Sequence, residues 1–378
     1  MRRLATVLLL ILLVAGMNVR TVWSGGGKWG SGTPSGARTD AYWLPDGQTP
    51  ADRPFPDVAI GGTLLTDSLM AASWSLGISD FLADLSPNTA SLTFKGQVSG
   101  TPGDDVVIST GLGVQWSGRL DTVTQTRDTA GNWWTSITAT DRVGALGASE
   151  LDAYAFPGSI DLLDHVAAAS ADSGVSVTIT DDSIHGLGLL QEAAEDPYSG
   201  SLLAYINGML RSQNAMAALQ RDGTISAVIR EAVTPSPVLT LSGVNAPRDW
   251  TLSYSIDVDI NRWSVWTTIG PYTDILFGED AGDIKIYGAR SFVSDRFRPF
   301  SDTYFDDWIA YGGSQRPTAS ATLVVTDWSQ DDLILLDPFQ WITESGTDWQ
   351  VLSVQHSVTA SPYSWAVTMT LDNLLDLL

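Results

Sequence analysis

One strand pattern is written twice in this chain, once over residues 104–141 and again over residues 331–372. The first copy runs Asp104-Asp105-Val106-Val107-Ile108, then Val114-Gln115-Trp116-Ser117-Gly118-Arg119-Leu120, then Trp134-Thr135-Ser136-Ile137-Thr138-Ala139-Thr140-Asp141. The second runs Asp331-Asp332-Leu333-Ile334-Leu335, then Trp349-Gln350-Val351-Leu352-Ser353-Val354, then Trp365-Ala366-Val367-Thr368-Met369-Thr370-Leu371-Asp372. Each opens on an acidic pair, centres on a Trp strand and closes with a Trp seven residues before an Asp. Alternating apolar residues, such as Val114, Trp116 and Leu120 or Trp365, Val367, Met369 and Leu371, turn one face of a strand towards a core. Short strands at regular spacing indicate barrels or sandwiches. A chain that builds one small β-barrel twice suits assembly geometry better than a single catalytic cleft.

The expected fold class is mainly β with an α+β insert: two related small β-barrels flanking mixed α+β domains. At 378 residues the chain has room for roughly two to four domains. Residues 1–55 read as an apolar N-terminal segment and a Gly/Ser/Pro-rich arm, 56–145 as the first β-barrel, and 146–235 as an α+β domain. Residues 236–317 read as a β-rich domain and 318–378 as the second β-barrel.

Within the α+β domain, Ser159 can cap a helix bearing Ile160, Leu163, Val166 and Ala167. A strand at residues 175–179 precedes a second helix, opened by Ser199 or Ser201 and striped by Leu202, Leu203, Ile206, Met209 and Leu210. A hairpin then turns through Arg221-Asp222-Gly223-Thr224, where Asp-Gly is the expected two-residue turn with positive φ at both positions. Thr234-Pro235-Ser236-Pro237 reads as a stiff linker. Beyond it come strands at 249–257 and 262–269, a strand-like run at 282–288 and a short helix at 304–311. Across residues 349–358 the apolar phase slips, which a bulge near Val351 would produce.

The charge balance excludes one class of function. Forty-three Asp and Glu against 20 Lys and Arg give a net charge of −23. General nucleic-acid affinity rests on neutralising phosphates with Lys and Arg, so an acidic surface instead lets DNA pass without sticking. With no cysteine, disulfides and thiolate metal sites are impossible. At the N-terminus, Arg2-Arg3 precede an apolar run at residues 4–17, with the length and flanking charge of a signal-peptide core. Three readings of it stay open: export, a true start at Met17, or a segment that packs within an assembly or against a membrane. In the arm, Gly27-Lys28 lacks the spacing and the preceding strand of a phosphate loop.

No constellation of reactive side chains stands out. His165, His185 and His356 lie on different elements without metal-ligand spacing. The pairs Asp104-Asp105, Asp181-Asp182, Asp306-Asp307 and Asp331-Asp332 are sequence neighbours, which point to opposite faces of a strand and so form no glycosidase dyad. Asp257-Val258-Asp259-Ile260-Asn261 begins like a calcium loop, but Arg262 stands where Gly is needed and Thr268 where Glu is needed. Ser117 and Ser173 lack a nucleophile-elbow context. Trp23, Trp29 and Trp43 in the arm are binding candidates for a neighbouring subunit; most other tryptophans fall on strand-interior phases. No catalytic, cofactor-binding or metal-binding residue is therefore expected, no cofactor is implied, and the chain does not read as an enzyme.

Three stretches together resemble the tail-hub (baseplate hub, or minor tail) proteins of long-tailed phages, which are related to the hubs of injection systems. They are the Trp-strand hairpin at 114–141, the helix and hairpin at 201–229 with Asn214-Ala215 and Gln220-Arg221-Asp222-Gly223-Thr224-Ile225, and a later stretch. That last stretch has Asp259-Ile260-Asn261, then Gly282-Asp283-Ile284-Lys285-Ile286-Tyr287-Gly288-Ala289-Arg290, and ends in the meander at 349–372. The resemblance implies two related barrels per chain and three chains in a pseudo-six-fold ring at the distal tail tip of a virion. It implies as partners a tail-tube or distal tail protein, the tape-measure protein and tip or fibre proteins, with DNA passing through and no specific nucleic-acid binding. The apolar run at 4–17 departs from the family pattern. Two rival readings are a secreted β-rich carbohydrate-binding protein or glycosidase, suggested by the leader and the tryptophans, and a cell-surface injection-system component.

Overall fold

The computed structural model describes residues 54–80, 83–156, 161–183, 186–188, 197–230, 233–255, 262–266, 274–279, 291–294, 297, 316–326 and 328–373. The apolar N-terminal run, the arm tryptophans, His185, the calcium-like run 257–261, the strand-like run 282–288 and the expected helix at 304–311 lie outside the described residues.

A first group of strands comprises β1 (Asp57–Ile60), β2 (Thr63–Leu64), β3 (Leu69–Gly77), β4 (Thr89–Lys95), β5 (Asp105–Thr110), β6 (Gly113–Arg127) and β7 (Trp133–Asp141). A mixed segment follows: α1 (Arg142–Ala148), β8 (Glu150–Tyr154), α2 (Leu162–Ser173), β9 (Ile179–Asp181), β10 (Tyr198–Ser201), α3 (Leu202–Ser212), β11 (Ala215–Leu219) and β12 (Ile225–Ile229). Next come β13 (Pro237–Thr240), β14 (Asp249–Ser255), β15 (Arg262–Trp266), β16 (Asp274–Glu279) and β17 (Ser291–Ser294). The chain closes with β18 (Arg316–Val324), α4 (Asp331–Ile334), β19 (Trp341–Glu344), β20 (Thr347–Ala360) and β21 (Tyr363–Asp372).

Period-two patterning makes the long strands. β4 turns Ala90, Leu92 and Phe94 inward and Thr89, Ser91 and Lys95 outward. β21 does the same with Trp365, Val367, Met369 and Leu371. These strands belong to one 13-stranded sheet, ordered β14-β18-β21-β20-β3-β4-β7-β6-β5-β1-β2, with β19 on β20 and β13 on β19.

Within that order one five-strand unit is built twice. In the first unit, chain-successive strands β3 to β7 pair as β3-β4-β7-β6-β5, every pair antiparallel. In the second, β14, β18, β19, β20 and β21 pair as β14-β18-β21-β20-β19, again all antiparallel. A flanking strand precedes each unit and pairs at the same place, β1 on β5 antiparallel but β13 on β19 parallel. The fold is therefore mainly β, with two related strand units and an α+β segment between them.

The residues that repeat are not the ones the sequence pattern emphasised. Asp331 and Asp332 sit in the short helix α4, and the strand equivalent to β5 is β19, further along the chain. Trp134 and Trp365 occupy equivalent strands but opposite phases: β7 buries Thr135, Ile137 and Ala139, leaving Trp134 half-buried, whereas Trp365 is core. A closer sequence match lies in the first strand of each unit, two residues out of pairing register. Trp74-Ser75-Leu76-Gly77-Ile78 runs along and just past β3, with Trp74 opposite Ala90 of β4. Trp250-Thr251-Leu252-Ser253-Tyr254 runs along β14, with Trp250 opposite Ala321 of β18.

Other local expectations meet physical limits. Val114 faces solvent and Gln115 is buried, because a register shift between Ile108 and Ser109 reverses the phase at the start of β6. The bulge expected near Val351 is present: Val351 pairs with Leu371 and Ser353 with Thr370, so Leu352 is the extra residue. Asp161, not Ser159, caps α2, its carboxylate accepting from Leu163 N at 2.9 Å. The strand expected at 175–179 begins only at Ile179, and Pro237 opens β13 instead of ending a linker, a strand position that needs no N–H. In the β11–β12 hairpin only Gly223 takes a positive φ, 88°. Gly223 N donates to Gln220 O at 3.0 Å and Gln220 N to Thr224 O at 2.8 Å, which is a type I turn followed by a glycine bulge. Asp222 stays out of the left-handed region because its carboxylate accepts from Thr224 N and Oγ1 at 2.8 and 2.7 Å.

The α+β segment buries Leu202, Tyr205, Ile206, Met209 and Leu210 of α3, over a sheet of β11, β12 and the parallel β9. β15, β16 and β17 form a separate three-stranded sheet. Among the described residues no helix is long and apolar enough to cross a membrane.

Candidate functional site

The described residues offer no reactive centre. No group of three or more His, Asp or Glu able to hold a metal occurs among them. His165 is buried against Tyr154, Phe156, Tyr205 and Phe297, with Nε2 2.9 Å from the Tyr205 hydroxyl, and burial lowers its pKa to about 4. The acid pairs are spent on local structure. Asp104 accepts from Thr101 N, Asp181 from Ser183 N and Leu187 N, and Asp182 from the Ser226 hydroxyl. Trp74, Trp116, Trp349 and Trp365 are core side chains, so none of these four presents a face to a sugar. A cleft of about 380 Å³ lies beside Val114, Gln220, Arg221, Asp222, Thr224 and Asp337, but two of its three charged side chains, Arg221 and Asp337, pair with each other.

What the sequence folds into most distinctively is a joint. β3, the first strand of one unit, pairs with the far half of β20 in the other, from Ser353 opposite Gly77 to Thr359 opposite Ala71. At its centre Trp74 stacks on His356, ring centroids 4.8 Å apart and planes 11° from parallel. Trp365 meets Trp74 edge-on at 5.9 Å and donates its Nε1–H to His356 Nδ1 at 3.1 Å. Indole can only donate, so His356 accepts at Nδ1 and carries its proton on Nε2. Complete burial holds this imidazole neutral, with its pKa lowered to about 3.

Glycine and the bulge let the two backbones meet. Gly77 has φ 106°, and a Cβ there would lie 2.1 Å from the Leu352 carbonyl oxygen. That carbonyl, on the bulged residue, accepts from Ile78 N at 2.9 Å. The bulge also turns the Leu352 side chain into a second apolar cluster with Ile78, Met216, Ala218, Phe339 and Trp341. The joint is thus a packed interior shared by both units and by β11 of the α+β segment.

Polar clamps fix the α+β segment to both units. Asn207 on α3 makes two bonds with the Leu85 backbone, at 3.1 and 3.0 Å, and Arg211 forks onto Asp84. Across the molecule, Arg221 at the hairpin tip gives its backbone N–H and Nε–H to Asp337 at 3.0 and 2.8 Å. Burial raises the Asp337 pKa, and Arg221 opposes that shift. Asp141 ends β7 and caps α1, accepting from Val143 N at 2.9 Å and from Asn88 N at 2.9 Å. Burial outweighs those bonds and lifts its pKa to about 6. Sequence reasoning placed the tryptophans and the hairpin but missed the joint; its trace in the sequence is the Trp-x-Leu run at residues 74–76 that recurs, two residues out of register, at 250–252.

Neither a family model nor a curated protein matches the sequence. Among solved structures the chain is similar to the tail protein from Neisseria meningitidis MC58, with a TM-score of 0.58 and 11% identity, covering 85% of this chain and 96% of that one. It is similar to the 43 kDa tail protein of prophage MuSo2 from Shewanella oneidensis, with a TM-score of 0.54 and 11% identity over 84% of this chain and 95% of that one. A third likeness, with a TM-score of 0.50 and 11% identity, covers 83% of this chain and 76% of the E. coli c3393 protein. That protein is a component of the type VI secretion system with structural similarity to the T4 bacteriophage tail proteins gp27 and gp5. The chain has the fold of these tail proteins.

Proposed function

We propose that this protein is a non-enzymatic structural subunit of a phage tail or related injection apparatus, and that it is a homotrimeric hub. The observation that carries the reading is the doubled strand unit, joined head to tail at β3 and β20 on a tail-protein fold. Two like units in each of three chains give six similar lobes around a three-fold axis. Such a ring can mate with a six-fold tube on one side and a three-fold tip on the other. In this reading each unit is a small barrel: residues 56–145 form the first, β14 completes residues 316–378 as the second, and 146–235 and the rest of the β-rich segment lie between them.

The proposed partners are a tail-tube or distal tail protein, the tape-measure protein, and tip or fibre proteins, at the distal end of the virion tail. The net charge of −23 suits a conduit that DNA crosses without binding. Native mass spectrometry of the purified full chain tests the proposal: a particle of three chains supports it, and a monomer at tens of micromolar contradicts it.

A further inference from the structure

The two units are alike in strand order but unlike in how they are covered. Trp74, Leu76 and Ile78 on the first strand of unit one are each 1% exposed, sealed by the pairing of β3 with β20. On β14 the places of Trp74 and Leu76 fall to Leu252 and Tyr254, which are not sealed. Trp250 still packs edge-on against Trp349, but Leu252 is 41% exposed and Tyr254 62%. β14 pairs only with β18 among the described strands and forms one end of the sheet order. Its sequence, Asp-Trp-Thr-Leu-Ser-Tyr-Ser, carries neither the lysine nor the proline that usually protects a free edge.

The missing cover has a counterpart in the same chain. β20 is a two-part strand: residues 347–350 pair with β19, and residues 353–359 pair with β3. β6, its equivalent, is built the same way. Residues 113–119 pair with β5, yet residues 122–127 pair with β7 alone among the described strands. Among the described residues the chain therefore carries the joint made once, plus an unfilled example of each of its halves. The free strand end, β14, and the free slot, the outer half of β6, are different surfaces, which is what a head-to-tail contact between identical copies requires.

We infer that β14 of one copy adds to residues 122–127 of β6 in the next, repeating between chains the joint that β3 and β20 make within one. The inference rests on the hub reading and names its interface. Register follows from the internal joint. His356 lies opposite Val367 of β21 and Trp74 of β3. Val351 and Leu120 each stand just before the bulge of their strand, so Gln125, opposite Thr135 of β7, holds the place of His356 on β6. Counted through β18 and β21, Leu252 holds the place of Trp74, so Leu252 is set opposite Gln125, Thr251 opposite Thr126 and Tyr254 opposite Val123. Leu252 and Tyr254 then enter a shared core as Trp74 and Leu76 do.

The cysteine-free chain allows a direct test. Thr126 and Thr251 are exposed, and cross-strand Cβ atoms in such pairs lie about 4.5–5.5 Å apart, near disulfide range. Under mild oxidation the full-length T126C/T251C double variant should give dimer and trimer bands on a non-reducing gel, ending at trimer. Each single variant should stay monomeric on the same gel. As a second measure, Leu252→Asp with Tyr254→Asp should convert the native trimer to monomer while the circular dichroism spectrum is unchanged. A trimer that neither crosslinks through this pair nor dissociates in the Asp variant overturns the interface but leaves the hub reading standing. A wild-type monomer overturns the hub reading itself.

Discussion

Trp365 donates its indole N–H to Nδ1 of His356 across 3.1 Å, inside the joint that holds the two strand units together. The bond is buried and joins two strands of the second unit beneath Trp74 of the first. Trp365→Phe keeps an aromatic ring but leaves the His356 acceptor unpaired and a small void behind. The expected loss is about 2–4 kcal/mol in urea unfolding, from an orphaned buried acceptor plus lost packing. A loss under about 0.5 kcal/mol would mean that the bond does not hold the joint.

The same histidine makes the fold sensitive to acid. In the unfolded chain His titrates near 6.5, whereas folded His356 titrates near 3 and His165 near 4. A depressed folded pKa gives stability that is full above pH 6.5 and is lost as pH falls towards the folded value. Each histidine thus lowers stability by about 1.4 kcal/mol per pH unit over roughly pH 6.5 to 4. Asp141, raised to about 6, acts in the opposite sense between pH 6 and 3.8 but is common to wild type and variant. His356→Gln, which keeps an acceptor for Trp365, should flatten the slope by that amount. Equal slopes in the two proteins would refute the assignment.

Close backbone approach at the joint gives a paired glycine test. Gly77→Ala would push a Cβ onto the Leu352 carbonyl, at a positive φ, whereas Gly62 has a positive φ of 77° and open space around it. Gly62→Ala should cost about 1 kcal/mol through backbone strain alone. Gly77→Ala should cost several times more, about 3 kcal/mol or above, measured by thermal and urea unfolding. Similar losses at both positions would remove the close approach as the reason for Gly77.

The clamp from Arg221 to Asp337 predicts a local effect. Asp337→Ala leaves the hairpin-tip N–H and the Arg221 guanidinium without their shared acceptor, for a loss of about 1–3 kcal/mol. Amide exchange should rise at residues 220–224 and little at the β3–β20 joint. Uniform protection across the hairpin would argue that the pair is ornamental to stability.

Much of this fold is legible in the sequence, because its long strands are half-buried and their period-two pattern survives, as in Thr89 to Lys95 and Trp365 to Leu371. The α3 stripe and the bulge near Val351 are legible for the same reason. The doubling is legible too, but through the wrong residues. Acidic pairs gather at strand starts and helix starts alike, so Asp331-Asp332 imitates Asp104-Asp105 while opening a helix. The Trp134–Trp365 match ignores phase, and one residue of phase exchanges core for surface. The counterpart of Trp74 in pairing register is Leu252, obscured because the Trp-x-Leu likeness of the two strands lies two residues out of register. Pairing partners, which decide that Leu76 is sealed and Leu252 is not, are set by contacts far apart in sequence and leave no local signal.

The central claim is a ring of three chains with six similar lobes. End-on class averages of the purified full chain in the electron microscope test it most directly. The account expects a closed ring with three-fold symmetry and a strong six-fold component in its rotational power spectrum. Monomers, two-fold dimers, or rings whose lobes do not number six would contradict it.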